Sequence, residues 1–395
     1  MELEKSLSIR QERTELIRKA TRWEKVERIP HFSMFQLWQV FDSDTHCTLS
    51  EAMKDYDLME RIVREHQERY NFDFLVNTGV RNPFLVYEAL ECKSYNIDDD
   101  NEAINHVDQW YCEHDELEEM AADYWKFIWE KGMAKKYEWW TDPERSFDII
   151  QNAINARNEY FAFVGKISKV CKEEYGLPSY CRPVMPPMIP IENIFSYVRG
   201  FKGMALDMRR EPTKLDALLD TLADMNFHPA LEGIKKLEPG MDMSVCWDFA
   251  TTMLCQNFMN LKQWDKYYWP LFKQFIDVIE SKAMTFSIFT EGAIMRFKDY
   301  FNDYKKGTLT FMLEMDDPFE FRKEFPKCAI LGGMDNVLLG GGTKEECLNL
   351  AKRLCEELGG EGGYLMTQTK IGTFRADGKR ENVLAVSEFV QNYRC

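Results

Sequence analysis

Short apolar runs that end in an acid, an amide or a glycine recur through the last third of the chain. They read TFSIFTEG (Thr285–Gly292), TLTFMLEMDD (Thr308–Asp317), KCAILGGMDN (Lys327–Asn336) and GGYLMTQTKIG (Gly362–Gly372). Segments with helical periodicity alternate with them at Trp264–Ser281, Pro318–Phe325, Lys344–Leu358 and Arg380–Tyr393. Strands that alternate with helices predict a parallel sheet. Polar residues at the carboxyl ends of such strands mark the rim where a barrel of this kind holds its chemistry.

The first part of the chain extends the pattern. Residues 1–27 read as an amphipathic helix and its exit, followed by a strand in Ile29–Trp38, a helix over Glu51–Tyr70 and a strand in Phe72–Gly79. From about Glu88 to Arg145 the composition turns rich in acids and tryptophan, and Glu113–Lys131 has the periodicity of a helix with a charged outer face. This stretch reads as an α-rich insertion capping the barrel mouth. A long helix is expected over Asp148–Tyr175. The four prolines of Arg182–Phe195 exclude a regular central strand there, so an irregular loop over the active face is expected. Helices around Gly200–Met208 and Lys214–Leu237 lead to the fourth central strand and its loop in Asp242–Thr252. The expected architecture is one α/β domain over residues 1–395, a single (β/α)8 TIM barrel with an α-rich cap at about 88–145.

Composition narrows the partners. With 50 Lys+Arg against 66 Asp+Glu, the formal net charge is −16, which disfavours nucleic acid or an anionic membrane as the main partner. The charged amino-terminal segment has no apolar core of a leader, and no run approaches bilayer length, so a cytoplasmic location is expected. The 11 cysteines include no CxxC pair, which argues against a closed four-cysteine zinc site. The 27 Phe, 17 Tyr and 10 Trp suit either a core or an apolar substrate cavity. The glycine run LLGGGTKEE (Leu338–Glu346) lacks the lysine–hydroxyl pair of a phosphate loop; Thr343 and Glu346 instead form a capping box.

Several motifs, taken in order, carry a resemblance. They are RWEKVERIPHF, SYVRGFKGMALDMRREPTKL (Ser196–Leu215), NLKQWDKYYWP (Asn260–Pro270), TEG (Thr290–Gly292), ILGGMDNVLLGGGTKEE (Ile330–Glu346), and GGYLMTQTKIG followed by GKRENVLAV. The chain resembles the uroporphyrinogen decarboxylase-like superfamily, in its corrinoid-dependent methyltransferase branch. That resemblance implies a (β/α)8 barrel and one of two chemistries. Decarboxylation of an acidic tetrapyrrole would use arginines just after the first strand, but SMFQLWQVF (Ser33–Phe41) contains none. Relatives that methylate a thiol coenzyme carry His-x-Cys on the fifth strand and Cys on the eighth. This chain has Phe289 and Glu291 there, and the Thr367–Lys370 region. The similarity that remains is to methyltransferases of the O-demethylase type. These move a methyl group from a small, methoxyaromatic donor to Co(I) of a corrinoid (cobalamin) carried by a separate partner protein. The resemblance also suggests a homodimer. A cobalt-independent decarboxylase or lyase, and a non-catalytic binding barrel, are the alternatives.

An aryl ether is a poor methyl donor unless its oxygen is protonated or coordinated as the C–O bond breaks. Glu291 ends the expected fifth strand, Glu314 and Asp316 the sixth, and Asp335 the seventh. Two readings stand: zinc held by Glu291, Glu314 and Cys328, or a metal-free acid such as Glu291 in apolar surroundings. Phe35, Trp38, Asn77, Trp247, Asp248 and Asp335 are the expected substrate-binding residues. Arg199 is a candidate for a donor carboxylate.

Overall fold

The structure is a computed structural model and describes residues 2–76, 78, 82–107, 110–240 and 245–395. Its strands are β1 (Phe32–Ser33), β2 (Phe74–Leu75), the antiparallel hairpin β3 (Tyr95–Asp98) and β4 (Ala103–His106), and then β5 (Phe249–Met253), β6 (Phe286–Thr290), β7 (Leu309–Leu313), β8 (Ala329–Met334) and β9 (Tyr364–Gln368). The last five form a parallel sheet in chain order. β1 pairs in parallel with β2, and a bridge from His31 to Met366 sets β1 beside β9. At the other edge, Ser179 bridges Val245 just ahead of β5. The wall therefore runs β2–β1–β9–β8–β7–β6–β5 and ends on the Ser179 segment.

Among the described residues no ladder joins β2 to that segment, so the expected closed ring shows one unlaced seam. Pro178 and Pro183, which have no N–H to give, flank the segment. The rings of Phe74 and Tyr180 meet across the seam instead, 5.4 Å apart and nearly parallel. A cavity of about 540 Å³ lies there.

Strand alternation sorts side chains into two cores. Phe286, Ile288, Phe311, Leu313, Ile330 and Tyr364 face the surrounding helices. Phe32, Phe74, Trp247, Phe289, Met312, Leu331 and Leu365 fill the inside of the wall. Register makes a level of four of these, since Phe289 pairs with Met312, Met312 with Leu331, and Leu331 with Leu365. Ile17 and Ala20, from the first helix (Glu2–Thr21), and Val26 join this inner core at the amino end. The Gly363 N–H donates to Ala20 O at 2.7 Å.

Several elements differ from expectation for local reasons. β1 is two residues long, because Trp38 already begins the helix Trp38–Asp42. The helix expected over Glu51–Tyr70 is two helices, Leu49–Lys54 and Tyr56–Tyr70; Asp55 leaves helical dihedrals between them and caps the second through Leu58 N–H. The long helix is Pro143–Glu173, with Asp142 as its cap and proline at its first position. The β3–β4 hairpin within the acidic stretch was not expected. The single helix predicted over Glu113–Lys131 is broken at Asp123, which caps the second piece. No helix among the described residues is long and apolar enough to cross a membrane.

Candidate active site

Two glutamates follow the carboxyl ends of neighbouring strands. Thr290 and Leu313 are the last register partners of β6 and β7, so Glu291 and Glu314 follow side by side. Each stands two residues beyond an inner-core residue, Phe289 and Met312, one level higher along the wall. The Glu314 carboxylate accepts the Gly292 N–H, which fixes it against the Glu291 backbone. Desolvation raises the Glu314 pKa above the ordinary range, against the lowering pull of that N–H and of Lys370. Lys370 is shared with Asp377, 2.9 Å away.

The backbone of Glu291 is clamped on both sides. Its N–H donates to Met253 O at 3.1 Å, and its carbonyl accepts Gln256 Nε2 at 3.1 Å and also Asn257 Nδ2. Asn257 Oδ1 accepts the Ala293 N–H at 3.2 Å. Such a close approach requires glycine at 292, where φ is +111°. The loop carrying Gln256 and Asn257 is itself pinned by Glu192, whose Oε1 accepts the N–H groups of Leu254 and Cys255 at 2.9 and 3.0 Å. Burial raises the pKa of Glu192. Periodicity gave no signal for Gln256, Asn257 or Glu192. They lie in short helical segments, Pro190–Asn193 and Cys255–Phe258, and their roles depend on β5 and β6 being neighbours.

The other expected site residues are placed elsewhere. Trp247 and Asp248 precede β5 and sit at the amino end, away from the rim. Trp247 is fully buried, with Nε1 donating to Thr310 Oγ1 at 2.9 Å. Asp248 accepts the Thr285 N–H at 2.9 Å and the Arg182 Nε–H at 2.5 Å, so it ties strand beginnings together. Phe35 and Trp38 belong to the outer core, where their rings lie 4.1 Å apart. Trp38 Nε1 donates to Gly378 O at 2.8 Å. Asp335 caps the helix Asn336–Gly341 by accepting the Val337 N–H. Asn77 lies outside the described residues. Arg199 is buried in a two-pronged pair with Asp207, at 2.6 and 2.9 Å, and donates to Cys112 O. This accounts for the YVRGFKG motif, because a Cβ on Gly203 would stand 3.2 Å from the Arg199 guanidinium carbon.

Cys328 does not join the two glutamates. It stands before β8, at the opposite end of the wall, where burial pushes its thiol up to about 12. A metal ligand must be a thiolate, and this environment disfavours one. Asp316 is engaged with the Ile294 N–H at 2.6 Å. Among the described residues no three His, Cys, Asp or Glu side chains are grouped to hold a metal ion. The expected zinc ligand set therefore disperses. What the rim offers is an acid with a raised pKa, Glu314, beside Glu291, whose backbone is clamped, an arrangement suited to proton donation.

Comparison with known proteins agrees with this architecture. A profile of the uroporphyrinogen decarboxylase (URO-D) family matches residues 190–388. No curated protein matches the chain significantly. A solved structure, "methyltransferase from Methanosarcina mazei", is similar with a TM-score of 0.55 at 14% identity, over 96% of this chain and 97% of that one. At that identity the likeness is one of fold. Half of the chain, including every strand from β5 to β9 and both rim glutamates, lies inside the matched region, and the chain belongs to the uroporphyrinogen decarboxylase family.

Proposed function

We propose that this chain is a methyltransferase, its wall the staves of a (β/α)8 barrel, which takes a methyl group from a small methoxyaromatic donor. The acceptor is the cobalt of a corrinoid on a separate partner protein, which supplies the electron pair that displaces the ether oxygen. The observation that carries the reading is the placement of Glu314 beside Glu291 on adjacent strand ends, with burial raising the Glu314 pKa. As the methyl C–O bond breaks, Glu314 gives its proton to the departing oxygen, and the donor leaves as a neutral phenol. Glu291 orients the ether from the adjacent strand end.

Two further features support it. The rim carries Glu291, Glu314, Asp316 and Asp335 against Lys370, which is already paired, so it suits an uncharged ether better than a polycarboxylate. Apolar side chains stand exposed on the loops and short helices that follow the strands: Met185, Phe258, Met315 (74% exposed), Val337 (72% exposed) and Phe374. Exposed apolar groups set around an acidic opening suit a docking protein. The structural neighbour's name, a methyltransferase, points the same way.

The test mixes the purified chain with reduced corrinoid protein and a panel of methoxyaromatics, and measures phenol release. Release that requires the corrinoid protein is expected. Glu314→Gln is expected to lower it by about 100-fold or more, the usual contribution of a positioned general acid. Absence of phenol from every donor would overturn the proposal.

A further inference from the structure

The insertion contains a cavity of its own, of about 320 Å³, between the β3–β4 hairpin, the helical pieces around Ile128–Lys136 and the helical segment Ile194–Arg199 at Ser196 and Tyr197. Its volume matches a single-ring ligand. Five tyrosines line it, Tyr87, Tyr95, Tyr111, Tyr137 and Tyr197, together with apolar groups that include Val107 and Met133. The rings are held in place by one another. Tyr87 and Tyr95 stack at 5.1 Å, and the His106 ring lies 4.7 Å from that of Tyr95.

The charge of this cavity is opposite to that of the chain. In a protein of formal net charge −16, its described lining includes Lys136 and His106 and no carboxylate. The Lys136 ammonium rests over the rings of Tyr111 and Tyr137, at 5.0 and 5.5 Å, with no ion pair to any described acid. The neighbouring lysines are different: Lys131 and Lys135 are paired with Glu119 and Glu116. Beside Lys136, the hydroxyls of Ser94 and Tyr111 lie 3.4 Å apart. A cation fixed on aromatic faces, hydroxyl groups next to it and a flat apolar enclosure form a complementary set.

We infer that this cavity binds a single-ring aromatic carboxylate, with the ring among the tyrosines and the carboxylate on Lys136. The site is separate from Glu291 and Glu314 and stands whether or not methyl transfer is found.

The probe is 4-methylbenzoate, which has no ether for the rim to cleave, with binding measured by calorimetry on the full chain. The parent is expected to bind it about tenfold more tightly than its neutral methyl ester, and Lys136→Met to lose about tenfold while Lys136→Arg retains binding. Tyr111→Phe, which keeps the ring and removes the hydroxyl, is expected to bind more weakly than the parent. Photolabelling with 4-azidobenzoate is expected to mark peptides within residues 84–137 or Tyr197. Failure of the parent to bind, equal affinity in Lys136→Met, or labelling confined to the Glu291 and Glu314 peptides would each overturn the inference.

Discussion

The side chain of Asn257 fills the space that a Cβ on Gly292 would occupy: such a carbon would stand 2.5 Å from Asn257 Cγ and closer still to its amide atoms. The glycine of TEG is therefore what lets the β5 loop grip the backbone of Glu291. Gly292→Ala is expected to break that grip and also to strain a left-handed backbone. The predicted result is a loss of more than about 1 kcal/mol of stability and a larger loss of turnover, read by thermal unfolding and phenol release. Asn257→Ala, which makes room but removes the grip, is expected to lower turnover with a smaller change in melting temperature. Full turnover in both variants would show that the clamp does not position Glu291.

The raised pKa of Glu314 sets a pH dependence. A general acid works while protonated, so turnover should hold at low pH and fall as pH rises through a value above the ordinary carboxyl one of 4.5. The same shift has a consequence for stability. A raised carboxyl pKa means that the folded chain holds the proton more tightly than the unfolded chain. Ionisation above the ordinary value then works against folding. Glu314→Gln, which can still accept the Gly292 N–H, should raise the melting temperature at neutral pH while it lowers turnover about 100-fold or more. A variant that loses turnover and stability together would indicate a structural role.

Rim docking is tested by charge. Met315→Asp and Val337→Asp place acids on exposed side chains that flank the opening. Each is expected to leave folding within about 0.5 kcal/mol of the parent, as surface changes do. Each should raise the KM for the corrinoid protein about tenfold, with little effect on the KM for the donor. An unchanged KM for the partner in both variants would move the docking face elsewhere.

Two buried histidines predict acid sensitivity. His31 and His66 both pack against Phe72, and desolvation lowers their pKa values to about 4 and about 3. The folded chain keeps both neutral, while the unfolded chain protonates them near the ordinary 6.5. Their contribution is thus complete above about pH 6.5 and is lost as pH falls towards 4 and below. His31→Leu should flatten that acid limb by one proton, about 1.4 kcal/mol per pH unit. At neutral pH it should change stability little, because neither ring nitrogen of His31 has a partner among the described residues. An identical acid limb would assign it to other groups.

Alternation made the C-terminal strands legible, and with them Glu291 and Glu314, because both follow apolar runs by simple count. The side chains that position them were not legible. Gln256 and Asn257 matter only because β5 lies beside β6, and Glu192 because its short helix reaches the loop after β5. Trp247 and Asp248 were misplaced by a shift along one strand. The pairing of β5 begins at Phe249, so the residues ahead of it fall at the foot of the wall. Phe35 and Trp38 were misread because an aromatic residue near a strand end serves an outer core as readily as a substrate wall. The Ser179 stave, between prolines, carried no strand pattern at all.

The first helix gives the inside of the wall a floor, since Ile17 and Ala20 pack into the inner core at its amino end. With the floor shut, the proposed methyl transfer would bring the donor in and let the demethylated product out by the upper end, where the proposed partner would also sit. On that proposal, traffic through one doorway would have to queue: the small molecule would go in before the partner settles, and the spent molecule would stay until the partner lifts away. An excess of partner protein should then slow the cycle instead of driving it, and a rate that falls at high partner concentration is the kinetic trace of that floor.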